Sequence, residues 1–272
     1  MTTAEVRQRI VADLEHHGSV LVAFSGGVDS AVVAALAFEA CGERALAVTA
    51  VAETLADRDL PFAKRVAEEI GIRHETVRYS ELAHEGFASN PRHRCYLCQG
   101  LRMGTMQTVA AEKGYALVCD GTNASDPGPD RPGLRAIAEK GVYSPLLEHG
   151  VSKSATRALA IDFGLSVWDR PSNACLSSRV PHGQVITLEK LHRVDKAEAL
   201  LYDEGFRVVR VRHDQDRARV EVGESEIDRL RAMWGSVQAR LEALGFREAS
   251  LDPVGYREGG ADLEPAASPR VG

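Results

Sequence analysis

The 272-residue chain has no apolar run long enough to span a membrane and no amino-terminal signal peptide, so neither a membrane helix nor export is expected. It has no excess of positive charge: 33 Lys and Arg stand against 39 Asp and Glu, a formal net charge of −6. That balance speaks against a surface that tracks nucleic acid as a whole, while leaving a local basic groove open. Cysteines number only five and are irregularly spaced, which does not make a disulfide framework. The expected compartment is the reducing cytoplasm, where a close cysteine pair suggests metal or catalysis first. There is no internal repeat, and no G-x-x-x-x-G-K-[ST] stretch, which excludes a Walker A nucleotide loop.

What is present starts with size: 44% apolar and 26% charged residues suit one large domain or two smaller ones. The chain is organised around Leu21-Val22-Ala23-Phe24-Ser25-Gly26-Gly27-Val28-Asp29-Ser30, an apolar strand running into a glycine turn and then into the apolar run Ala31 to Ala40. Gly26 and Gly27 remove the Cβ atoms that would hold a phosphate away, and the helix that follows presents its positive end. Ser25 and Ser30 add hydroxyl donors, and Asp29 can hold a magnesium ion against phosphates. The S-G-G-x-D-S pattern resembles the PP-loop of the N-type ATP pyrophosphatases, which cleave ATP between the α and β phosphates.

Periodicity predicts a leading helix over Thr3 to His17 closed by Gly18, a strand over Ala45 to Val51, a helix over Pro61 to Ile70 and a strand near Glu75 to Tyr79. A helix over Leu101 to Lys113 and a strand over Tyr115 to Asp120 follow, the latter leading into Gly121-Thr122-Asn123. Ala124 to Pro132 reads as a loop, Ser152 to Phe163 as a helix capped by Ser152, and Trp168 to Gly183 as a loop over the site. The alternation implies an α/β protein with a doubly wound parallel sheet and ligands at the carboxyl ends of its strands, where Ser25 and Gly121 both fall. From Val185 a smaller α+β domain is expected: helix to Tyr202, strands Phe206 to His213 and Arg217 to Val222, helix Glu224 to Leu244, and a strand around Arg247 to Asp252. The expected organisation is thus domains over residues 1–183 and 184–257, with a disordered tail over 258–272.

Three groups of residues could carry chemistry. Cys95 and Cys98 form a C-x-x-C beside Arg92 and Arg94, close enough to chelate one metal, yet no second C-x-x-C or H-x-x-x-H follows to complete a zinc site. The alternative is a pair of packing cysteines in a loop. Cys175 has Ser178 and Arg179 behind it, which suits a nucleophilic thiol beside an anion site. Cys41 and Cys119 stand in or beside apolar elements and read as core. Arg210 and Arg212 share one strand face and can clamp a phosphate, or else form a solvated face balanced by Asp214, Asp216 and Glu221. Glu198, on the preceding helix, is a weaker candidate for metal or substrate.

Ser25 to Ser30, Arg94 to Cys98, Asp120-Gly121-Thr122-Asn123, Arg131-Pro132-Gly133-Leu134-Arg135-Ala136, Ser144-Pro145-Leu146 and Trp168 to Gly183 together resemble the LarE family, the ATP-dependent sulfur transferases of nickel-pincer nucleotide biosynthesis. The resemblance spans roughly residues 5 to 255. It implies that a carboxylate of pyridinium-3,5-biscarboxylic acid mononucleotide attacks the α-phosphorus of Mg-ATP, and that sulfur then displaces AMP from the acyl adenylate. In some members the cysteine matching Cys175 gives up its own sulfur and becomes dehydroalanine; in others cysteines matching Cys95, Cys98 and Cys175 hold a [4Fe-4S] cluster, the version expected here. By the same resemblance Ser25, Gly26, Gly27, Asp29 and Ser30 cradle pyrophosphate and magnesium, Gly121, Thr122 and Asn123 close over AMP, and Ser178, Arg179, Arg210 and Arg212, with Glu198 beside them, hold the substrate phosphate. Thr49, by fold analogy, lies under the adenine. The family further implies a homo-oligomer and a link to other pincer-nucleotide proteins. The rival readings are a tRNA-thiolating enzyme, an amide-forming synthetase and a non-catalytic nucleotide sensor.

Overall fold

The computed structural model describes residues 2–126, 132–171 and 173–257. The expected tail over 258–272, Arg131 and Ser172 lie outside the described residues. By its contacts the chain divides into two compact units, one of residues 1–81 with 93–173 and one of residues 82–92 with 174–272. The expected break at 183/184 therefore falls ten residues earlier. The excursion 82–92 joins the second unit because Asn90 Nδ2 donates to the carbonyls of Pro181 at 2.7 Å and Gln184 at 3.1 Å, while Ile186 N donates to Ala88 O.

The first unit runs α1 (Thr3–His17), β1 (Val20–Ala23), α2 (Val28–Cys41), β2 (Ala45–Val51), α3 (Asp59–Ile70) and β3 (Arg73–Arg78). After α4 (Glu85–Ala88), which belongs to the second unit, it resumes with α5 (Arg94–Lys113), β4 (Leu117–Cys119), α6 (Pro132–Glu139), α7 (Pro145–Glu148) and α8 (Lys153–Asp162). The sheet order is β3-β2-β1-β4, with every pair parallel. Alternation along the strands sorts the core. Val20, Val22, Ala45 and Ala47 pack with α1, α2 and α8 on one face, while Leu21, Leu46, Val48 and Val118 pack with Met103, Met106 and Ile137 of α5 and α6 on the other. This is the doubly wound arrangement expected from the sequence, with β1 in the interior and the loop after it at the sheet's carboxyl end.

One helix starts earlier than its expected start at Leu101. α5 opens at Arg94, where Tyr96 N and Leu97 N donate to His93 O, so Cys95 and Cys98 sit in its first turn rather than in a loop. Cys98 continues the buried stripe of Met103, Met106 and Ala110 toward the helix start. Two short 3₁₀ turns, Ser166–Asp169 and Leu176–Arg179, fall at the start of and within the loop expected from Trp168 to Gly183.

The second unit continues with α9 (Leu188–Asp203), β5 (Val209–Asp214), β6 (Arg217–Val222), α10 (Ile227–Ala232), α11 (Trp234–Ala243) and β7 (Glu248–Leu251). β5 and β6 form an antiparallel hairpin and β7 adds parallel to β6. The single helix expected over Glu224 to Leu244 is broken at Met233, whose φ of −109° and ψ of 10° end α10 and begin α11. The break lets Leu230 on one side and Val237 and Leu241 on the other reach one core with Val209, Val211 and Phe206.

His213 on β5 is 1% exposed beside Phe246, with neither ring nitrogen hydrogen-bonded. Burial, with the charges of Arg193 and Lys190, pushes its pKa from the ordinary 6.5 down to about 4. The unfolded chain therefore binds a proton that the folded unit refuses, so stability present above pH 6.5 is lost as pH falls toward 4. At about 1.4 kcal/mol per unit, the loss is about 3 kcal/mol. Urea unfolding across that window is expected to show this slope, and His213→Leu to flatten it.

Candidate active site

In the first unit the turn between β1 and α2 is built for close approach. Gly26 has φ +72°, and a Cβ on it would stand 2.7 Å from the Ala63 Cα of α3. Gly121, just beyond β4, abuts the first turn of α2: a Cβ there would stand 2.7 Å from Ser30 N. Ser25 Oγ and Ser30 Oγ lie 3.1 Å apart, Gly27 N donates to Ser25 Oγ, and Ser30 Oγ donates to Gly27 O, so the two hydroxyls brace the turn from within. The amino terminus of the 14-residue α2 lies immediately behind it, with no side-chain cap.

Asp29 Oδ1 accepts from Asn123 Nδ2 at 3.1 Å, and its Oδ2 meets Lys153 Nζ at 2.5 Å. Lys153 opens α8 one residue after the cap Ser152, and its backbone N–H donates to Ser125 Oγ. Three segments distant in sequence thus converge on the loop: α2, the turn after β4, and the start of α8. Sequence reasoning missed Lys153, whose only local signal is its place behind a capping serine. Asp120, 6% exposed, accepts from Thr122 Oγ1 and Ser144 Oγ, each at 2.5 Å, and thereby folds the Gly121–Asn123 turn; burial raises its pKa. Thr122 is thus turned inward onto Asp120, whereas Asn123 reaches the loop. Thr49 is buried, its hydroxyl donating to Phe24 O at 2.8 Å with His74 Nε2 also at 2.8 Å.

Cys95 is exposed on α5, while Cys98, one turn on, is buried with its thiol donating to Glu81 Oε1 at 3.0 Å. Glu81 is fully buried and also accepts from Thr54 Oγ1 at 2.5 Å and Tyr79 OH at 2.7 Å; Arg102 lies 3.9 Å from it. No local pattern marks this network. Among the described residues no group of three or more His, Cys, Asp or Glu side chains is arranged to hold a metal ion. Thiols such as those of Cys95 and Cys98 are of the type that suits an iron–sulfur cluster.

In the second unit Cys175 is half-buried at the start of a 3₁₀ turn, its Sγ 3.0 Å from Ser177 Oγ. Arg179 is fully buried and pairs bidentately with Glu198 at 2.8 and 2.9 Å, while its Nη1 donates to Ala174 O, Cys175 O and Ser178 Oγ. Arg212 pairs in the same way with Glu221 at 3.0 and 2.8 Å and also donates to Ser178 O. The β5 face is therefore not solvated, and two of the three arginines expected to grip a phosphate are spent on carboxylates. Deleting one partner of such a buried pair costs about 3–5 kcal/mol, which makes these pairs part of the scaffold. The Arg210 guanidinium lies 4.8 Å over the Tyr256 ring and donates to Val209 O, and burial together with the charge of Arg179 lowers its pKa.

Residues 3–99 match the asparagine synthase family. An uncharacterised protein of Synechocystis is 41% identical to this chain over 88% of it and 90% of its own length. Pyridinium-3,5-bisthiocarboxylic acid mononucleotide synthase of Lactiplantibacillus plantarum is 34% identical over 95% of this chain and 94% of its own. Among solved structures, NMN synthetase from Francisella tularensis aligns with a TM-score of 0.50 at 21% identity, over 64% of this chain and 76% of its own, a likeness of fold.

Because the carbon added by Gly121→Ala would strike backbone at Ser30, α2 and the turn after β4 must move apart. ATP binding by calorimetry is expected to weaken at least about tenfold, about 1.4 kcal/mol, with the far-ultraviolet spectrum unchanged.

Proposed function

The chain belongs to the LarE family of ATP-dependent sulfur transferases, and from that membership we propose that it converts carboxylates of pyridinium-3,5-biscarboxylic acid mononucleotide to thiocarboxylates for a nickel-pincer nucleotide. The observation that carries the reading is the convergence of Asp29, Asn123 and Lys153 on a glycine turn at the amino end of α2. A substrate carboxylate oxygen bonds to the α-phosphorus, the bond to the bridging oxygen breaks, and pyrophosphate departs toward Ser25–Ser30. Lys153 offsets the charge gathering on pyrophosphate, and the α2 terminus donates backbone N–H groups to it. Asp29 is the residue that would hold magnesium, shared with the phosphates, and the ion would supply further charge neutralisation. Gly121 and Asn123 close the AMP side.

Sulfur supply is the finer part of the proposal. A thiolate or sulfide attacks the acyl carbon and AMP leaves with the electron pair. If Cys175 is the donor, its Cβ–S bond then breaks as the α-proton is lost, leaving dehydroalanine and a thiocarboxylate without any oxidant. The cluster version draws on Cys95, Cys98 and Cys175, and it requires Cys98 to leave Glu81. Its support is chemical: two thiols one helical turn apart and a third of the right type, which would leave one iron free for a transferable sulfide. Ser178, Arg179, Arg210 and Arg212, with Glu198 beside them, are the residues proposed to hold the substrate phosphate. Assembly from several copies and work in the cytoplasm belong to the same proposal; among the described residues no helix is long and apolar enough to cross a membrane.

Pyrophosphate release is expected with ATP and the pyridinium substrate together. Lys153→Ala is expected to lower its rate about a hundredfold, as loss of a transition-state donor does. Release from ATP alone at the same rate, or none with both, would overturn the reading. Iron and acid-labile sulfide on protein purified without oxygen decide the sulfur source: about four of each supports the cluster, and none assigns the sulfur to Cys175.

A further inference from the structure

Phe24 immediately precedes Ser25, and its position sets where the nucleotide loop begins. Three contacts fix it. Phe24 N donates to Val48 O at 2.9 Å, Thr49 Oγ1 donates to Phe24 O at 2.8 Å, and the Phe24 ring meets the His74 ring edge-on with centroids 5.7 Å apart. His74 and Thr49 stand on neighbouring strands, β3 and β2, and His74 Nε2 is 2.8 Å from Thr49 Oγ1. The hydroxyl has a single proton, and Phe24 O, an acceptor only, takes it. The contact with His74 must then run from Nε2–H to the oxygen of Thr49, which fixes the imidazole tautomer. Both the donor and acceptor capacity of Thr49 along these directions are committed, and its side chain is almost wholly buried at 2% exposure. Little of it is left to meet a base.

We propose that Thr49 and His74 are positioning residues for the PP-loop: a chain of two hydrogen bonds, His74 to Thr49 to Phe24, holds the end of β1 in register so that Ser25 and the turn behind it meet the departing pyrophosphate. This departs from placing Thr49 against the adenine, and it rests on the adenylation reading given above. The two roles differ in what they move. A contact to the base sets ATP affinity and the choice of ATP over GTP. A hold on Phe24 sets the rate of the step in which pyrophosphate is stabilised, and leaves the choice of base alone.

The test is pyrophosphate release by Thr49→Val, Thr49→Ser, His74→Gln and His74→Phe, with kcat, KM for ATP and the ATP/GTP preference measured for each. Thr49→Val keeps the shape and removes the hydroxyl, and it is expected to lower kcat about tenfold, the worth of one buried hydrogen bond, with KM for ATP and base preference little changed. Thr49→Ser is expected to recover most of that loss. His74→Gln keeps an N–H donor and is expected to exceed His74→Phe, which keeps only the aromatic contact. Thermal melting of each variant separates these effects from unfolding. The proposal is overturned if Thr49→Val raises KM for ATP or relaxes the ATP/GTP preference while kcat holds, or if Thr49→Ser is no better than Thr49→Val. Absence of substrate-dependent pyrophosphate release in the wild-type protein would instead overturn the adenylation reading.

Discussion

The close packing of backbone at two glycines is the constraint on which the first unit depends. Gly26 meets α3 and Gly121 meets the first turn of α2, each where a single added carbon would fall 2.7 Å from a backbone atom. Those approaches keep the turn after β1 compact and leave the amino end of α2 without a side-chain cap, facing the carboxyl edge of a parallel sheet. Anion binding follows from helix polarity and geometry before any charged side chain is counted. Lys153 and Asp29 then add one charge of each sign, held together at 2.5 Å.

The second unit follows a different logic. It carries arginines at buried or half-buried positions and makes them tolerable by pairing: Arg179 with Glu198, Arg212 with Glu221, Arg219 within reach of Glu221 and Asp252. Pairs of this kind define geometry more than they add stability, since desolvation offsets most of their attraction. Arg210 stacks on Tyr256, and burial together with the charge of Arg179 lowers its pKa.

Much of this was legible in the sequence, for physical reasons that can be named. The strand-turn-helix around Ser25–Ser30 could be read because glycines and an apolar period mark it locally, and Thr3–His17, Ala45–Val51 and Arg217–Val222 have the bounds their periodicity predicts. Serine at position 152 announced the start of α8, and the capping bond to Ala155 N is present. Tertiary pairing was not legible. Lys153 acquires meaning only when α8 is folded against α2, and Glu81 only when β3 brings it beneath Cys98. The early start of α5 is hidden because nothing local marks it: His93 caps the helix without a side-chain hydrogen bond. The alternative of a solvated face at Arg210 and Arg212 fails for a related reason, since alternation reports two faces and does not tell that both are covered.

The central claim is that a substrate carboxylate oxygen attacks the α-phosphorus of ATP at this loop. Heavy-oxygen label placed in the carboxylates of the pyridinium substrate tests it directly, with AMP and pyrophosphate analysed by mass spectrometry after turnover. One labelled oxygen in AMP and none in pyrophosphate is the predicted result; AMP without label would contradict the account, because the acyl–oxygen–phosphorus bond would then never have formed.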